Sequence, residues 1–151
     1  MNWNQNKSIF LSRVCIIAFA LLLSAVDIGA YWIVTWLISV SSIPGGLLIG
    51  YLLMAVIYCC SILAWILLVS LWKLLKNMKA GIIFQVDNVR YLRLTSWCCF
   101  GVCVICFTCA FYYLPLILIA IAAGFIGLIV RIVKNVFEQA RAMKEELDFT
   151  V

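Results

Sequence analysis

A carboxylic acid set among hydrocarbon side chains is the first feature of this sequence with chemistry in it. Asp27 is the only charged residue between Val14 and Trp72. An ionised carboxylate inside a bilayer costs several kcal/mol unless it is protonated, paired or wetted, so an intramembrane acid is a functional candidate in its own right. The apolar stretches hold no Lys, Arg or His to pair with it. That leaves a bound proton, a hydroxyl partner such as Ser24 or Thr108, or water. At about 1.5 Å of helix rise per residue, Asp27 stands roughly 20 Å beyond Arg13, somewhat past the midplane of a bilayer core. The functional reading is a proton or cation site in a small transporter or channel; the structural one is a neutral, hydrogen-bonded acid near the outer interface.

Thiols are the second candidate. The chain has eight cysteines, and Cys103-Val104-Ile105-Cys106 overlaps Cys106-Phe107-Thr108-Cys109 to give two C-x-x-C patterns. Helical spacing places Cys99, Cys103 and Cys106 on one face. Redox work asks for a thiolate and a neighbouring base, yet histidine is absent from the sequence and hydrocarbon disfavours a charged sulfur. A metal site would lack the polar groups that orient ligands. Cys15, Cys59, Cys60, Cys98, Cys99, Cys103, Cys106 and Cys109 are therefore expected to fill helix contacts as small apolar side chains, with no metal and no cofactor.

Composition defines the elements that must carry these groups. Of 151 residues 68% are apolar and 11% charged, with mean hydropathy +1.20. Soluble domains run near 45–50% apolar and about 25% charged, so a fold in water would expose far more hydrocarbon than water tolerates. A soluble enzyme is excluded. The two apolar blocks, Val14–Trp72 and Leu94–Val130, each have the length for two helical crossings of about 20 residues. Ser41-Ser42-Ile43-Pro44-Gly45-Gly46 breaks the first block, since Pro lacks an amide donor and paired Gly favours a turn. Pro115, just beyond Tyr112-Tyr113, breaks the second. Spans are predicted at about 12–39, 47–73, 90–112 and 115–135. A cleaved secretory signal fits poorly, because the apolar run after Arg13 exceeds an h-region of about 7–15 residues and no clean small-x-small site follows it.

All eleven Lys and Arg fall in three segments. Lys7 and Arg13 precede the first span, Lys73, Lys76, Lys79, Arg90 and Arg93 separate the second from the third, and the remainder follow the fourth. The connections at Pro44 and Pro115 carry no charge. Basic loops stay on the cytoplasmic side, which assigns both termini and the central connection to the cytoplasm. Tyr31, Trp32, Trp36, Tyr112 and Tyr113 then fall near the outer interface, and Trp72 and Trp97 near the inner one, as anchoring aromatics do.

The central segment Lys73–Arg93 mixes Leu74, Leu75, Met78, Ile82, Ile83 and Phe84 with lysines and is expected to lie along the inner leaflet. Each basic residue there contributes on the order of 1 kcal/mol of attraction to anionic lipid. Gly81 is expected to end the second helix, and Asp87 or Asn88 to cap the third. After the fourth span, apolar residues at 133, 136/137, 140 and 143/147 give an amphipathic helix, with Arg141 and Glu145 an i,i+4 pair. That tail could meet the leaflet, the central connection, a second copy of the chain or another protein. Ala120, Ala123, Gly124 and Gly127 give the fourth span a narrow face for close helix approach, within the chain or in a homo-oligomer. The net charge of +5 is spread over these segments and forms no compact basic domain, so direct nucleic-acid binding is not expected.

Two of the segments carry a recognisable pattern. Gly81-Ile82-Ile83-Phe84-Gln85-Val86-Asp87-Asn88-Val89-Arg90-Tyr91-Leu92-Arg93 resembles the "G-x-x-F-t-x-x-N-v-x-x-L-r" stretch of the bacterial membrane family known as domain of unknown function 2975. The ending Phe137–Val151 resembles that family's "F-x-x-A-x-x-L-k-e-E-n-d-l-T-[IV]" through Phe137, Ala140, Lys144, Glu145, Glu146 and Thr150. Gln85 stands where the family often has Thr, and Leu147 where it often has Asn. Members are frequently encoded beside a small helix-turn-helix transcription regulator. The resemblance thus implies a membrane partner that controls such a regulator through Gly81, Phe84, Asn88, Arg90, Leu92, Arg93 and the tail residues.

These readings converge on an all-α integral membrane protein: four transmembrane helices in a single domain 1–151, N and C termini cytoplasmic, and an amphipathic tail at 136–151. It is expected to be multi-pass in the bacterial inner membrane, not an enzyme, and of regulatory or interaction type. Its expected partners are the phospholipid bilayer, a cytoplasmic transcription regulator and further copies of itself. The alternative is a small oligomeric transporter or channel using Asp27. A membrane enzyme of the glutathione-transferase or thiol-redox kind ranks last, for want of polar intramembrane residues.

Overall fold

The computed structural model describes residues 3–41, 46–79 and 86–149. All four elements in them are α-helices: α1 (Trp3–Ser41), α2 (Gly46–Lys79), α3 (Val86–Cys109) and α4 (Leu116–Phe149). Each is long and apolar enough to cross a membrane. The protein is a multi-pass membrane protein with an all-α fold.

Helix ends differ from the span limits for a physical reason. Hydropathy marks where lipid ends, whereas a helix continues until something breaks its hydrogen bonding. Nothing between Trp3 and Ser12 is Pro or Gly, so α1 starts nine residues before the expected span. Leu74, Leu75, Lys76 and Met78 are good helix formers, and α2 continues to Lys79. The described part of the central connection is therefore helix, α2 running to Lys79 and α3 beginning at Val86. The tail is not a separate element either. α4 runs unbroken over 34 residues, about 50 Å against a hydrocarbon core of roughly 30 Å. At the opposite end α3 stops at Cys109, and the amides of Tyr112 and Tyr113 both donate to the Cys109 carbonyl at 3.0 and 3.1 Å. The turn at Pro44 and the expected stop at Gly81 lie outside the described residues, as do Phe84 and Thr150.

The helices pack in series. α1 lies against α2, α2 against α3 and α3 against α4, and no other pair of helices comes within backbone packing distance among the described residues. The shared core sits away from the charged end and takes residues from each helix: Val34, Leu53, Val56, Cys106, Ala110, Leu116 and Ala120. Outside it the helices present large exposed apolar side chains such as Phe19, Ile28, Trp32 and Phe125, which is the surface a lipid-covered protein needs. The small-residue face of α4 is used within the chain. At Gly127 an added Cβ would stand 3.1 Å from Cys99 Cβ, and at Gly124 3.1 Å from Cys103 Sγ. The closeness lets Ser96 Oγ donate to the Gly127 carbonyl at 3.1 Å, a buried bond between α3 and α4.

Candidate functional site

Basic residues from all four helices meet at one end through a run of side-chain contacts. The Arg13 guanidinium of α1 lies 5.7 Å over the Trp72 ring of α2. Lys73 of α2 lies 5.8 Å over Tyr91 of α3. Arg93 of α3 donates to Glu138 of α4 at 3.2 Å, while Lys134 sits 2.8 Å from the second oxygen of the same carboxylate. Cation–ring and ion-pair contacts of this kind need both partners at one depth, so they tie the ends of four helices to one level. The hydrogen bond and charge of Lys134, helped by Arg93, hold the Glu138 carboxyl below the usual carboxylate range. One turn on, Arg141 Nε and Nη2 both donate to Glu145 at 2.9 and 2.7 Å, the expected i,i+4 pair.

Asn88 anchors this end from within. It is fully buried, and its Oδ1 accepts from Asn77 Nδ2 of α2 at 2.8 Å. Its side chain therefore joins α2 to α3; as the third residue of α3 it lies inside the helix rather than capping it. Asp87 likewise falls within the first turn. Of the motif residues, Leu92 is buried, Arg90 and Arg93 are exposed, and Phe137 and Ala140 are half-buried. Lys144, Glu145 and Glu146 are exposed on α4. The structure thus joins the two motif segments through Arg93 and Glu138, while Gly81, Phe84 and Thr150 lie outside the described residues.

Asp27 lies between α1 and α2, and its partner is an indole. Trp65 Nε1 donates to Asp27 Oδ2 at 3.3 Å. The hydroxyl partners expected from sequence are committed elsewhere: Ser24 donates to the Ala20 carbonyl and Thr108 to the Val104 carbonyl, each at 2.8 Å on its own helix. The thiols on one face of α3 divide their contacts between two neighbouring helices. Cys99 and Cys103 meet the α4 glycines, whereas Cys106 Sγ lies 3.9 Å from Cys60 Sγ of α2. All eight cysteines are free.

The family described as "Protein of unknown function (DUF2975)" matches residues 30–151. The chain belongs to the DUF2975 family. No curated protein and no solved structure matches it. Both motif segments of this DUF2975 chain lie within the match, together with all of α2, α3 and α4; Asp27 stands three residues before it.

Several polar residues of the DUF2975 chain escaped the sequence reading. Ser61 and Trp65 stand four residues apart in the membrane-spanning part of α2, a signal that could have been read beside Asp27. Asn77 and Ser96 gave no such warning, since each has its partner on another helix.

Proposed function

We propose that this DUF2975 protein is a non-enzymatic interaction protein of the bacterial inner membrane, its charged end in the cytoplasm, binding a helix-turn-helix transcription regulator through the first turns of α3 and the extension of α4. The observation that carries this reading is the two-sidedness of that extension. Lys134, Glu138, Arg141 and Glu145 share the side that meets Arg93 of α3. The opposite side continues an exposed apolar stripe out of the span, through Ile129, Ile132, Val136 and Met143. An unbroken helix has no joint at which this stripe could fold flat onto the leaflet, and the part of α4 beyond the hydrocarbon needs another cover. A partner helix suits a stripe of that period. The uncharged connections at the other end offer nothing comparable.

Co-purification from native membranes tests the reading. The full chain should retain the neighbouring regulator, a chain stopping at Asn135 should lose it, and Val136→Glu with Met143→Glu should lose it while leaving α4 in place. Equal recovery from all three would refute the tail as the contact. Reporter fusions near Gly45 and Leu114 should report the outside of the cell, and a cytoplasmic signal from either would reverse the assigned orientation.

A further inference from the structure

Four hydroxyls in the apolar helices follow one habit: Ser24, Thr35, Ser70 and Thr108 each donate to the carbonyl four residues back, at 2.8 to 2.9 Å. Ser61 breaks it. Its side chain is buried, at 6% exposure, and its Oγ has no hydrogen-bond partner among the described residues. The other buried side-chain oxygen in that condition is Asp27 Oδ1. Both residues line the same pocket of about 290 Å³, where α1 and α2 meet and Val102 of α3 closes one side. The remaining wall is apolar apart from the Cys60 thiol. Two buried oxygens without a partner, on residues that line one pocket, are satisfied best by a hydrogen-bonding occupant beside them, because hydrocarbon offers neither of them anything.

We propose that this pocket is a hydrated protonation site, in which water links Asp27 Oδ1 to Ser61 Oγ and the Asp27 carboxyl takes up and releases a proton. The volume has room for several waters at about 30 Å³ each, and a water with two or more polar partners is stable in such a place. The indole of Trp65 can only donate, so it holds Oδ2 as an acceptor and leaves Oδ1 as the atom that gains the proton. In that step a hydronium ion in the pocket gives its proton to the carboxylate, yielding a carboxylic acid and water; release is the reverse. A metal cation is a poorer occupant, since two oxygens fall far short of its usual ligand number. Among the described residues the one other titratable group lining the pocket is Cys60 of α2, against whose sulfur Cys106 of α3 packs at 3.9 Å, and no basic group lines the pocket. The site is independent of the α3–α4 surface and stands whether or not that surface binds a partner.

Infrared difference spectroscopy of the full chain in lipid nanodiscs tests it, with the near-isosteric Asp27→Asn as the blank. A protonated-carboxyl carbonyl band is expected that is absent from Asp27→Asn, grows as pH falls, and moves to lower frequency in D2O because water reaches it. Ser61→Ala should change the frequency of the band and weaken its response to D2O, since it removes one of the two polar partners of the water, and Ser61→Thr should restore both. A band that is missing, indifferent to pH or unmoved by D2O would overturn the site. A band unchanged in Ser61→Ala, with the fold intact by circular dichroism, would overturn the role of Ser61.

Discussion

Arg93 on α3 and Glu138 on α4, separated by 45 positions in sequence, meet at 3.2 Å and bring the two motif segments into one surface. Lys134 completes the cluster at 2.8 Å, and its hydrogen bond to Glu138 is the larger influence on that carboxyl.

A pH dependence follows from this cluster. Glu138 is held below the ordinary glutamate value of about 4.3, so its contribution to holding the α4 extension on α3 is present above that value and is lost as pH falls through the lowered one. Carbon NMR of labelled glutamate carboxyls should find Glu138 titrating below an ordinary glutamate, and Lys134→Gln should raise its midpoint more than Arg93→Gln does. Glu138→Gln should abolish any acid-induced loss of amide protection along the extension.

The two α4 glycines should respond unequally to substitution. At Gly127 the new methyl meets a Cβ, which is fixed to its backbone, so Gly127→Ala must push α3 and α4 apart and strain the Ser96 hydrogen bond. At Gly124 it meets a Sγ, which can rotate away. Gly127→Ala is expected to cost about 1–3 kcal/mol and Gly124→Ala clearly less, as measured by unfolding in detergent.

Asn88→Ala should destabilise the charged end more than Asn77→Ala. It empties a fully buried site as well as breaking the bond from the half-buried Asn77, a loss of about 1–3 kcal/mol. Hydrogen exchange at the start of α3 should rise in Asn88→Ala, and unchanged protection there would show that the pair does not hold the two helices.

Thiol reactivity should map the packing. In membranes a maleimide should modify Cys15, which is exposed two residues beyond Arg13, well before Cys98, Cys99 and Cys106, which are buried. Peptide mass spectrometry gives the order. Early modification of Cys106 would contradict its place beside Cys60 in the core.

Spans and the gathering of charge were legible because both depend on local composition: a residue such as Leu68 or Lys134 announces its solvent by its own chemistry. Helix length was less legible, since Asn4 or Lys76 is polar without being a helix breaker, and α1, α2 and α4 accordingly outrun the lipid. Pairing across helices was least legible. Asp27 finds an indole 38 positions away, although Ser24 offered a hydroxyl on its own helix, because side-chain direction and the register of α1 on α2 decide the partner. The same holds for Asn77 with Asn88, where a residue read as a cap proved to be a buried tie between helices.

Because the helix backbones pack in series among the described residues, a mechanical influence inside one molecule runs chiefly from each helix to the next. A change at Asp27 reaches the far extension by displacing α2, then α3, and finally α4 through Ser96 and Arg93. In such a relay the two middle helices are the transmission: stiffening or loosening α2 at Trp65 or α3 at Arg93 alters what the last helix receives.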